Sequence, residues 1–209
     1  MVCISSLPPV PTDICNERPV ILLSRTDSTS VVAFNSRPTW DSDAWVVHTT
    51  KEEMLSDFSG WGTNVRNIIS LMQKPDNWAL FDHPPAKSYF KGRVCLSGDA
   101  AHASTPHQGS GAGMAVEDAY ILSNLLADVD RFEELEGAFR AYDAIRRPRT
   151  QKLVTTSRQA GMLYEFELEG DDLVKLRRNL EGRMGWIWNE DLEQELEDAR
   201  MLLRSQQNA

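Results

Sequence analysis

Positive charge is scarce in this sequence: 22 Lys and Arg stand against 31 Asp and Glu, a net charge of -9 with a pI near 5.0. Nucleic acids and anionic membrane faces are met by clustered Lys and Arg, so the balance argues against either partner. Long apolar runs are also missing, because charge interrupts every stretch well short of the ~18 residues of a membrane span, and no span is expected. Cysteine is limited to Cys3, Cys15 and Cys95, an odd number without a C-x-x-C pair. That is neither a disulfide framework nor a zinc pattern. Reduced thiols in a reducing, cytoplasmic compartment are the expectation, with Cys95 buried in a strand. The opening residues lack a basic segment and are broken by Pro8, Pro9 and Pro11, so a secretory signal is not expected. Among the four histidines, His102 and His107 lie five apart with no third ligand and no H-E-x-x-H, so no metal site is expected. G-x-S-x-G is absent as well, which leaves an α/β-hydrolase triad without its nucleophile elbow.

What is present is an ordinary globular composition, 41% hydrophobic and 25% charged over 209 residues, enough for one large domain or two small ones. The first ~20 residues are Pro-rich and aperiodic and read as an irregular arm. Val20–Leu23, Val31–Phe34 and Ala44–His48 read as strands, the first two joined by a turn. Thr50 and Glu53 have capping-box spacing and open a helix through Phe58. Val65, Ile68, Ile69 and Met72 mark a second helix that stops near Pro75. Arg93–Ser97 reads as a strand, a helix ends near Ala127, and from Arg131 onward the pattern is helical, punctuated by Pro148, Gly161 and Gly170. The expected organisation is a partial β-sheet region with its arm over 1–90, a strand-loop-helix segment over 91–130 and a helical region over 131–209.

The segment from Gly98 to Asp118, GDAAHASTPHQGSGAGMAVED, carries the chemistry. Asp99 follows a strand, where open α/β sheets place ligand-facing groups. Gly109, Gly111 and Gly113 remove side chains where a helix begins, so backbone N–H groups and the positive helix end are open to an anion or an electron-rich ring edge. A carboxylate and a bare helix start on one loop suit a ligand with hydroxyls at one end and a polar, electron-accepting ring at the other. The plainer reading is a local cap at Asp99 and glycines for close packing. The order of strand, Gly-Asp, His102, Pro106 and alternate glycines favours the ligand.

This segment resembles the second FAD-binding motif of the group A flavoprotein monooxygenases, the salicylate hydroxylase-like aromatic hydroxylases. Asp57–Trp61, Asn77–Asp82, Arg146–Arg149 and Trp186–Asn189 are also similar to that family, and the resemblance covers most of the chain from Val31. It implies a cofactor site that includes Gly98 and Asp99, with Asp99 holding the ribityl hydroxyls of FAD and Pro106 lying beside the isoalloxazine ring. Gly109, Gly111, Ala112, Gly113 and Met114 would present backbone donors to the pyrimidine edge. It also implies NAD(P)H as reductant, a flavin hydroperoxide as hydroxylating species, and a small phenolic or aromatic substrate of a biosynthetic or catabolic pathway. No catalytic residue is identified beyond His107, which would point near the ring.

The family begins with a βαβ unit carrying G-x-G-x-x-G, and that unit is absent: Gly109-Ser110-Gly111 starts the pattern, but Met114 stands at the third glycine. The expected fold is therefore α/β, mixed α+β in this stretch: the C-terminal half of the aromatic-hydroxylase fold, with a partial substrate-domain sheet and a helical tail. A second chain supplying the dinucleotide-binding half is the partner that such a fragment would call for. The competing function is a truncated, non-redox homologue: a cofactor-free isomerase or cyclase, a partner subunit, or an inactive remnant. Elsewhere, Glu117-Asp118 reads as a pair of helix-dipole partners, Arg146, Arg147 and Arg149 as a capping surface with acidic partners, His102 as structural, and Trp186 and Trp188 as core.

Overall fold

The structure is a computed structural model that describes residues 2–5, 21–23, 31–36, 40–71 and 76–207. The proline run, Cys15, the turn between the first two expected strands and the Pro75 stop lie outside the described residues. The chain divides into two compact units, residues 1–81 with 164–168, and residues 82–163 with 169–209.

The first unit holds a five-stranded mixed sheet of β1 (Val2–Ser5), β2 (Ile21–Leu23), β3 (Val31–Ser36), β4 (Val46–His48) and β5 (Asp76–Ala79), in the order β2-β3-β1-β5-β4. β1 is parallel to both neighbours, with Val2 opposite Ala33 on one side and Asn77 on the other. β2 and β4 add antiparallel edges. Val2–Ser5 thus corrects the expected arm, since it is the central strand. Four residues beside a proline run are too few to show alternation, and pairing on both sides supplies what local propensity does not. β5 begins Asp-Asn and shows no strand pattern either; its neighbours decide it.

Helix α1 (Lys51–Asp57) starts as its spacing predicts. The Glu53 N–H donates to Thr50 Oγ1 at 3.1 Å, and the Thr50 N–H donates to Glu53 Oε2 at 2.9 Å. Met54 and Phe58 pack with Ile69 of α2 (Thr63–Ser70), and Trp40, Leu55, Trp61 and Val65 close the cluster.

The second unit starts with a tight hairpin, β6 (Phe90–Lys91) and β7 (Val94–Cys95), turned at Gly92 with φ +57°. Then come α3 (Asp99–His102), a 3-10 turn at Pro106–Gln108, α4 (Gly111–Ala127), a 3-10 turn at Phe132–Glu134, and four helices. These are α5 (Leu135–Tyr164), α6 (Leu173–Gly182), α7 (Gly185–Trp188) and α8 (Leu192–Gln207). The core joins Tyr89, Ala101, Ile121, Leu125, Tyr142 and Leu203, so hairpin, α4, α5 and α8 share one apolar centre. Mixed α+β architecture with a partial sheet and a helical tail is the observed class.

α5 runs unbroken through Pro148 and Gly161, which were expected to interrupt it. An interior proline costs a helix about 3 kcal/mol in isolation. Tertiary anchors along one face hold this one. Arg158 forks onto Asp82 at 2.6 and 2.7 Å, Gln151 donates to the Ala86 carbonyl, and Asp143 accepts the Tyr89 N–H at 2.7 Å. Thr150 Oγ1 also donates to the Arg146 carbonyl beside the gap that Pro148 leaves. Among the described residues, no helix is long and apolar enough to cross a membrane.

Candidate functional site

The site is built on the turn that leaves β7. Gly98 has φ +59° and ψ -142°, a backbone region open essentially to glycine, and a Cβ there would stand 3.3 Å from that of Ala115. Asp99 opens α3 with its side chain exposed, and its carboxylate makes no hydrogen bond or ion pair with any described residue. It is not a local cap. The turn lies over the start of α4, with Gly98 against Ala115 and Gly111 against Ser104 Oγ.

That helix start is bare. Ser110 occupies the N-cap, but its hydroxyl donates to the Gln108 carbonyl instead of capping. The N–H groups of Gly111, Ala112 and Gly113 are left at the positive end of a 17-residue helix. Gly113 is the informative glycine: its φ is ordinary, and a Cβ there would meet no atom within 4 Å. Alanine would fit the protein and favour the helix by about 1 kcal/mol, so neither packing nor conformation calls for glycine. Gly109 has φ +61°, which explains it locally.

Two expected donors drop out. The Gly109 N–H already donates to the Pro106 carbonyl, and the Met114 N–H to Ser110, each at 3.0 Å. The Met114 side chain is buried with Leu153 and Ile187. Pro106 is exposed on the same loop. His107, the expected near-ring side chain, lies against α5, where a Cβ on Gly161 would come within 2.8 Å of its Cε1. Burial holds its pKa below the usual histidine range.

Beneath the turn lies a charge network that the sequence reading misplaced. Asp118 is fully buried and accepts from the Gly98 N–H at 3.0 Å, His102 Nε2 at 2.6 Å and Arg146 Nε at 2.9 Å. A carboxylate only accepts, so Nε2 of His102 carries the proton. Arg146 is also fully buried, and it donates to Glu117 Oε2 and Glu195 Oε2, each at 2.7 Å. Arg149 forks onto both Glu117 oxygens at 2.9 Å and donates to the Trp186 and Ile187 carbonyls. Burial alone would raise the Asp118 carboxyl, but the donors from His102, Arg146 and Gly98 outweigh it and hold it below the usual range. Glu117 behaves alike under Arg149 and Arg146, whereas burial wins at Glu195 and raises it.

Glu117 and Asp118 are therefore not dipole partners. They lie beyond the first turn of α4 and pair with arginines of α5. Arg146 and Arg149 likewise form no surface, though their partners are acidic as expected. The signal available was that these are the only two charges in α4, which marks them as inward and paired. His102 is structural, as read. Trp186 is half-buried with Lys152 4.2 Å above its ring, but Trp188 is 72% exposed and not core, since its four-residue helix turns only Ile187 inward. Cys95 is half-buried, and burial raises its thiol to about 11. Among the described residues no group of His, Cys, Asp or Glu is placed to hold a metal.

Comparison with known proteins adds to this geometry. Residues 75–157 match a family described as an FAD binding domain. The chain is 43% identical over 183 residues to a salicylate hydroxylase of Pseudomonas putida, covering 83% of this chain and 42% of that protein. It is 42% identical over 168 residues to a 6-methylsalicylate 1-monooxygenase of Aspergillus terreus, covering 79% and 37%. A solved salicylate hydroxylase substrate complex superposes with a TM-score of 0.78 at 41% identity, covering 88% of this chain and 47% of that one. The chain thus spans less than half the length of the relatives it matches.

Proposed function

We propose that the chain is, over the segment it spans, a salicylate hydroxylase-like FAD-dependent monooxygenase, and that its Gly98–Gly113 loop holds the flavin end of FAD in an enzyme that hydroxylates a small aromatic ring. The observation that carries this reading is a partnerless carboxylate, Asp99, beside a bare helix start whose Gly113 leaves open space. The residues fit the group. Asp99 would accept hydrogen bonds from ribityl hydroxyls, while Gly111, Ala112 and Gly113 would offer N–H groups to the pyrimidine edge. Gly98 and Gly109 give the backbone its turns, Pro106 would flank the ring, and Met114 anchors the helix start from below.

When bound, the flavin supplies the redox chemistry, taking reducing equivalents from NAD(P)H and activating oxygen. The protein's share is electrostatic. Donors fixed at a helix N-terminus favour negative charge on the ring edge they face and need no rearrangement to do so. The substrate class follows the relatives, whose names specify salicylate and 6-methylsalicylate: a phenolic ring of benzoate size. His107 packs against α5 through Gly161, and its part in this reading is to shape the loop rather than to transfer protons. The ADP half of FAD needs a dinucleotide-binding unit that this sequence does not contain. In the relatives the matched segment is part of one longer polypeptide, so they lend no support to a separate second chain. A reducing, cytoplasmic setting accords with Cys95 as a free thiol.

The test is direct. Incubated with FAD and passed through a desalting column, the protein is expected to keep a flavin absorbance spectrum and melt at a higher temperature, and to oxidise NADH faster when a phenol is added. A colourless protein with an unchanged melting temperature would refute flavin binding by this chain and leave the non-redox reading standing.

A further inference from the structure

The Asp99 side chain is exposed and its carboxylate has no hydrogen-bond partner among the described residues, so nothing in its own contacts fixes where it points. The turn that carries it is held from elsewhere. Asp118 accepts the N–H of Gly98 at the start of the turn and Nε2 of His102 at its end. A third donor, Arg146 Nε, completes the set, and Arg146 is itself locked by Glu117 and Glu195 and reaches the Met114 carbonyl at 3.4 Å. One buried ion pair therefore ties together the Asp99 turn and the glycine-rich first turns of α4. Gly98, at φ +59° and ψ -142°, is also a conformation that a short turn does not hold unaided.

We propose that Asp118 is a positioning residue for the flavin site: backed by Arg146, it fixes the Gly98–His102 turn so that Asp99 meets the ribityl hydroxyls. The proposal rests on the flavin reading for its ligand, but the fixing of the turn does not. An ordinary core carboxylate would affect stability alone. A positioning carboxylate acts through Asp99, and the two roles separate in a double-mutant cycle.

Asp118→Asn keeps the shape but replaces one oxygen by a donor, so at least one of the three N–H groups loses its acceptor. FAD dissociation constants are measured for the unaltered chain, Asp99→Ala, Asp118→Asn and the double variant. Asp118→Asn is expected to weaken FAD at least tenfold on its own and less than twofold in the Asp99→Ala background. Equal factors in both backgrounds overturn the proposal. A second readout needs no flavin: amide hydrogen exchange across residues 98–103 is expected to speed up in Asp118→Asn while the middle of α5 stays protected. Unchanged exchange in the turn overturns the proposal whatever FAD does. If the unaltered chain fails to bind FAD yet the turn loosens as expected, the positioning stands and the functional reading falls. Should Asp118→Asn not fold, His102→Ala removes only the bond at the end of the turn. It is expected to give the same pattern at smaller amplitude, and additivity with Asp99→Ala there is equally fatal.

Discussion

Replacing Arg146 by methionine removes the cation on which Glu117, Asp118 and Glu195 converge, while keeping much of the side chain's length. Both Arg146 and Asp118 are fully buried, so solvent cannot take over the lost bonds. Removing one partner of a buried ion pair costs about 3–5 kcal/mol, because the other charge stays behind without its counterion. For a chain of this size that lowers the melting temperature by roughly 2–4 °C per kcal/mol. The loss should also depend on pH, and its sign follows from Asp118 and Glu117. Both are held below the usual carboxylate range, so their contribution is complete above the unfolded pKa and fades as pH falls through the folded one. Without Arg146 that lowering is weakened, so the variant has less stability to lose on acidification. Urea denaturation at neutral pH and near pH 4 checks this: the gap between Arg146→Met and the unaltered protein is expected to be several kcal/mol at pH 7 and to narrow in acid. A gap below about 1 kcal/mol at pH 7, or one that widens in acid, would refute the assignment of Arg146 as the counterion.

Gly113→Ala should separate fold from ligand: it stabilises the flavin-free protein by up to about 1 kcal/mol yet weakens FAD, as seen by melting curves and flavin titration. Stronger binding would mean that the open space beside Gly113 is not where a ligand lies. Gly161→Ala sets a methyl within 2.8 Å of the His107 ring and should destabilise by about 1–3 kcal/mol in chemical denaturation, as the imidazole is pushed off its seat. With its thiol raised to about 11, Cys95 should react slowly with a disulfide reagent at pH 8 in the folded protein and quickly once unfolded.

Features written in neighbouring residues were legible. Thr50 and Glu53 are three apart and form the capping box that their types require. The Gly-Asp pair, Pro106 and the alternate glycines lie on one loop, so their order already describes a carboxylate beside a bare helix start. Features that depend on distant partners were not. Asp118 and Arg146 are 28 positions apart, and nothing next to either says that it is buried. Val2–Ser5 becomes a central strand only because β3 and β5 flank it. Pro148 obeys its local rule, and the fold overrides it through anchors at Asp143, Thr150, Gln151 and Arg158. Trp188 misled in the other direction, since its size suggested core and its place on a single-turn helix left it outside.

The 30 residues of α5 make a rod of about 45 Å that is read on two faces at once. Asp143, Thr150, Gln151 and Arg158 grip the 82–90 segment, while Arg146, Arg149 and Ser157 grip α4, α7 and the loop before Pro106. Each helical residue adds about 100° of rotation, so one amino acid inserted between Arg146 and Ser157 would swing every later grip off its partner together. The exposed side chains of this helix that make no anchor can be exchanged at modest cost, but its length between anchors cannot. For genetic variation, the reading frame of α5 is therefore under tighter constraint than its composition, and in-frame insertions or deletions there should be far rarer among functional sequences than substitutions.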